Sequence, residues 1–120
     1  MTKKLIARWG SAFDLFAMSN LRAPETGVAG IVIWVSAGEP AGAAYLGPRL
    51  WVVIGDSLHP DGLKHAVIVR LTCPPDVLGE LPREFADQVA SFVSTNRDVL
   101  LRHWDADIAT REMLDLVVRA

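Results

Sequence analysis

The chain has 120 residues, of which 51% are hydrophobic and 22% charged, and a formal net charge of -2. That length and composition describe one globular domain with its own core and exclude a largely disordered chain. With neither a basic stripe nor a run of carboxylates, nucleic acid is not an expected ligand and a nucleic-acid mimic is not expected either.

Cys73 is the one cysteine, so no internal disulfide can form and a reducing, cytoplasmic compartment is expected. The first 20 residues carry Lys3 and Lys4 before an apolar stretch, as a signal peptide would. Arg8 and Asp14 interrupt that stretch, and the other apolar runs are about strand length, so neither export nor a membrane span is expected.

In chain order, residues 4–9 have strand composition, whereas Ser11 followed by Asp14 resembles a helix start; a short helix over 12–18 is the preferred reading. Pro24, Gly27 and Gly30 make 21–30 a loop. The runs 31–35, 50–54 and 66–71 are rich in Val, Ile and Trp and bounded by turn residues, which predicts strands, and 43–46 could add a short one. Pro60, Asp61 and Gly62 suit a turn with positive φ at its last residue. Short connections predict an antiparallel meander of three to four strands over about 31–72, closed by Cys73, Pro74 and Pro75.

Beyond it, Phe85, Val89, Phe92, Val93, Leu100 and Trp104 recur at helical spacing and predict one long helix, with Pro82 in its first turn. A break over 105–109 follows, and Thr110 is placed to cap a short final helix carrying Met113, Leu114, Val117 and Val118. The fold class is therefore α+β, a single domain over 1–120 whose helical unit occupies about 81–120.

In 31–35 both alternating sets are apolar: Ile31, Ile33 and Val35 on one face, Val32 and Trp34 on the other. Both faces of the sheet must then be covered. The helices can cover one; the N-terminal segment or a second subunit would cover the other. Trp34 and Trp51 are accordingly either interior residues or interface residues.

No catalytic set is assembled by the sequence, and no cofactor is implied. The most enzyme-like stretch places Asp56, Ser57 and His59 in one loop, yet a nucleophile, its base and an orienting acid rarely converge within one short turn. Turn chemistry accounts for the same residues. Cys73, His59, His65 and His103 lack the ligand spacing of a structural zinc site, although His59 and His65 could meet across the hairpin with Asp56 or Asp61. The glycine-containing stretch 36–42 lacks the lysine and the following helix of a phosphate loop, and Glu39 would repel phosphate. Cys73, beside two prolines, reads as a buried or idle thiol.

On the long helix Asn96 falls inside the apolar stripe between Phe92 and Leu100, where a buried amide must find partners. Its role is structural, or else Asn96, Arg97, His103 and Trp104 form a partner-recognition patch.

Asn96, Leu100, Leu101, Trp104, Ile108, Thr110, Glu112 and Leu114 fit the pattern N-x-x-x-L-L-x-x-W-x-x-x-I-x-T-x-E-x-L. Over 85–114 the chain thereby resembles small uncharacterised bacterial proteins, some of which belong to gene pairs of the toxin and antitoxin type. The resemblance implies a small sheet before the helices, a bacterial or mobile-element origin, and no catalytic residue. Where those proteins usually carry Gly-Glu before the isoleucine, this chain has Ala106 and Asp107.

The leading expectation is a non-enzymatic interaction module, of an antitoxin-like, accessory or inhibitor kind, acting on a protein partner or as a homo-oligomer such as a homodimer. The alternatives are a small hydrolase or transferase using Asp56, Ser57 and His59, and a small-ligand-binding protein with its site near Trp34 or Trp51.

Overall fold

A computed structural model describes residues 18–39 and 44–120. Its sheet runs β1 (Met18–Leu21), β2 (Ile31–Ser36), β3 (Arg49–Ile54), β4 (Val67–Arg70) and β5 (Asp76–Leu78), with α1 (Ala23–Thr26) between the first two strands. The helical unit is α2 (Arg83–Trp104) and α3 (Thr110–Leu116). The five strands lie in sequential order, and every neighbouring pair is antiparallel. The α+β meander followed by a long and a short helix is thus the observed fold.

Register explains the two apolar faces. Ile33 lies opposite Val52 and Trp34 opposite Trp51, so each face of β2 continues across β3. Ile31, Ile33, Val35, Leu50 and Val52 join Val89, Phe92 and Val93 of α2 in the main core. Val32, Trp34, Trp51 and Val53 face the other way and cluster with Met18, Leu63 and Trp104.

Among the described residues, two elements supply cover for that second face. A 3-10 turn, Pro60–His65, brings Leu63 down onto it, and a Cβ added at Gly62 would stand only 3.1 Å from a Val53 methyl. The other is the end of α2. A helix of 22 residues is about 33 Å long, whereas a six-residue strand spans about 20 Å. The helix therefore overruns the sheet, and Trp104 at its last position packs with the second cluster.

Several local expectations change. In the predicted helix 12–18, residues 12–17 lie outside the described residues and Met18 opens β1. The predicted loop 21–30 contains α1, because Pro24 presets its first turn, the Glu25 carboxylate accepts the Arg22 N–H, and Gly27 closes it at φ 77°. In place of a strand at 43–46 there is a 3-10 turn, Ala44–Leu46, ended by Gly47 at φ 72°. Positive φ near the following turn falls at Gly55, 113°, instead of Gly62.

The sheet does not stop at the prolines. Pro74 and Pro75 occupy the turn itself, where Thr72 Oγ1 donates to the Pro74 carbonyl at 2.8 Å, so the ladder never needs their missing N–H groups and β5 can follow. Pro82 stands at the N-cap of α2, one residue before the helix, and Ala109 rather than Thr110 occupies the N-cap of α3. No described helix is long and apolar enough to cross a membrane.

The break between the helices has a defined geometry. Asp107 N–H donates to the Arg102 carbonyl and Ala106 N–H to that of His103, the paired bonds of a Schellman ending. Its left-handed position is held by Ala106 at φ 60°, a conformation that glycine adopts without steric cost.

Candidate functional site

Side chains with chemical potential occupy three places: the loop before β4, the junction of α2 with the C-terminal segment, and the second face of the sheet.

In the loop, Ser57 and His59 are used by the turn. Ser57 Oγ accepts the backbone N–H of His59 at 3.2 Å, and His59 Nδ1 accepts the backbone N–H of Asp61 at 3.1 Å. The same ring nitrogen stands 3.3 Å from Asp61 Oδ2. The histidine ring thus serves as the side-chain cap of the 3-10 turn. Among the described residues no group of three or more His, Cys, Asp and Glu side chains is arranged to hold a metal ion. Cys73, read as buried or idle, is exposed.

At the helical junction Asn96 is 1% exposed, and its amide is fully engaged. Nδ2 donates to the carbonyls of Phe92, 2.8 Å, and Val118, 2.7 Å, while Oδ1 accepts the Val118 N–H at 2.6 Å. The side chain thus imitates one rung of a β-ladder and fastens the extended segment after α3. Ala120 N–H continues the attachment by donating to the Thr26 carbonyl at 2.7 Å, and Gly27 lets Arg119 and Ala120 approach as close as 3.0–3.1 Å to the place a Cβ would fill. Arg97 ties α2 to the sheet by donating Nε to the Leu71 carbonyl. His103 pairs Nε2 with Thr110 Oγ1 at 3.0 Å, and desolvation by burial lowers its pKa below the ordinary value.

The second face brings together residues the sequence left apart. Arg49 begins β3, two residues before Trp51 and hence on the same face, and only 2% of its side chain is exposed. Its guanidinium lies 5.4 Å from the centroid of the Trp51 ring and 5.5 Å from that of Trp104. Nη1 and Nη2 grip the Glu39 carboxylate at 3.1 and 2.7 Å, and Nη1 also donates to the Gly47 carbonyl at 2.8 Å. This end-on fork leaves Nε buried without a hydrogen-bond partner among the described residues, and the Trp34 Nε1 N–H is buried in the same condition. Register places Trp34 diagonal to Arg49 on that face.

Of the predicted partner residues, then, Trp34, Trp51, Asn96, His103 and Trp104 are buried in this chain, and Arg97 is half-buried. The structure joins Trp34, Trp51 and Trp104 around Arg49, and it places Asn96 and Arg97 elsewhere on α2. Arg49 itself was not singled out by sequence, although a signal existed: it stands in period-2 phase with Trp51 and Val53. Glu39 was legible only as a loop acid.

No family model matches the chain, and no curated protein or solved structure matches it either.

Proposed function

We propose that this is a non-enzymatic protein-interaction module, an accessory, inhibitor or antitoxin-like protein that takes an extended segment of its partner onto the sheet. The observation that carries this reading is the open edge. β5 is an edge strand, and its Val77 and Leu78 are 37% and 38% exposed on opposite faces. An added strand could therefore bury apolar surface whichever way its own side chains alternate. β5 carries some of the features that protect such edges, its three-residue length and Asp76 behind Pro75, so the apolar contact it leaves open is Val77 and Leu78. Use of the Ser57 and His59 polar groups by turn geometry favours this reading over hydrolysis.

The test joins light scattering with capture experiments on wild type and on Leu78→Lys. The expected result is self-association, or one specifically retained partner, that the lysine abolishes while the circular dichroism stays native. A strict monomer that retains no partner differing between the two proteins would overturn the proposal.

A further inference from the structure

An arginine fork matches the two oxygens of a carboxylate, and the match is strongest where the guanidinium plane is fixed and water is excluded. Both conditions hold at Arg49. The Trp51 and Trp104 rings at 5.4 and 5.5 Å wall the guanidinium, and its side chain is 2% exposed. Glu39, which fills the fork, differs in kind from its receptor: it belongs to the connection after β2, outside any strand or helix, and its side chain is 31% exposed. The receptor is buried between two rings, and its resident carboxylate is on a loop at the surface.

The fork also has a donor that Glu39 does not use: among the described residues Arg49 Nε is buried and has no acceptor, and neither has the buried Trp34 Nε1 on the same face of the sheet. Beside it, the turn Ala44–Leu46 carries Tyr45 at 84% exposure, and the carbonyls of Leu46 and Gly47 are fixed by Arg70 Nε and Arg49 Nη1, each at 2.8 Å. A large exposed aromatic on a turn tied to the fork supplies contact area for whatever brings a carboxylate.

We infer that the Arg49 fork is a carboxylate-recognition site for the protein partner. Glu39 occupies it in the free chain, and an acidic side chain of the partner replaces Glu39, with Tyr45 as the neighbouring contact. The inference rests on the reading of the chain as an interaction module and names the chemistry that its partner must present. Exchanging one carboxylate for another leaves the ion pair intact, and a carboxylate shifted toward Nε gains a donor that Glu39 leaves unused.

The probe is a blocked pentapeptide with a central glutamate, paired with its glutamine counterpart and titrated against tryptophan emission. Wild type should respond weakly, because a tethered Glu39 competes at high effective concentration. Glu39→Gln should respond to the glutamate peptide at a concentration at least about tenfold lower than wild type does, and prefer it over the glutamine peptide. Adding Arg49→Lys should remove that preference, since a lysine lacks the planar fork. Circular dichroism melts show that each variant is folded. Equal responses of folded Glu39→Gln to both peptides overturn the inference. If that occurs while Leu78→Lys still abolishes association, the interaction reading stands and this site falls; a strict monomer showing the glutamate preference reverses the two conclusions.

Discussion

The two faces of the sheet solve the same burial problem with different chemistry. Toward α2 the face is hydrocarbon, and the one amide buried there, Asn96, has every hydrogen-bonding group engaged. On the opposite face a guanidinium and three indoles share the interior, and among the described residues two N–H groups there lack acceptors. The first arrangement satisfies its buried polar group; the second carries a cost in desolvation.

The largest break in this comparison is expected from Phe92→Ala. Phe92 is fully buried between α2 and the sheet, and the truncation should cost about 3–5 kcal/mol in denaturant unfolding. On the other face, Glu39→Gln should cost less, about 2 kcal/mol, because Glu39 is itself 31% exposed and the glutamine carbonyl can still accept from the buried Arg49 fork. Replacing both, Glu39→Gln with Arg49→Met, should recover most of that loss, since an apolar chain between the two indoles needs no counter-charge. Failure of the double variant to recover would mean that the ion pair is a net stabiliser and the two faces are less different than argued.

A smaller change of opposite sign is expected from Ala106→Gly, a gain of about 1 kcal/mol measurable in the same unfolding experiment, because glycine relieves the left-handed φ of 60°. This chain thus carries its helix break under mild strain. The smallest effect concerns His103. Burial lowers its folded pKa below 6.5, so above that pH both states are neutral and no stability is at stake. As pH falls through 6.5 the unfolded chain takes up the proton first, and stability declines. His103→Gln should flatten that decline in unfolding curves recorded across the acid range.

How much of this was legible in the sequence depended on whether the determinant was periodic. The core of α2 was readable because Val89, Phe92, Val93 and Leu100 repeat at helical spacing, and β2 and β3 because two-sided apolar runs survive any register. Strand β1, Met18–Leu21, has Ser19 and Asn20 at its centre, and β5 is only three residues behind two prolines; pairing with a neighbour creates both, and local composition does not announce them. Asn96 was identifiable as an anomaly, but its partner Val118 lies beyond a second helix. The Arg49 site was the least readable, because its carboxylate comes from a loop and one of its walls from the far end of α2.

The attachment of Ala120 to Thr26 makes one amide a reporter for a whole segment. That hydrogen bond joins the end of the chain to α1, next to a glycine that tolerates the close approach. Isotope exchange at the Ala120 N–H should therefore track release of everything fastened through Asn96 and Val118, and a spectroscopic label placed after Ala120 would sense the connection between β1 and β2 more directly than it senses α3.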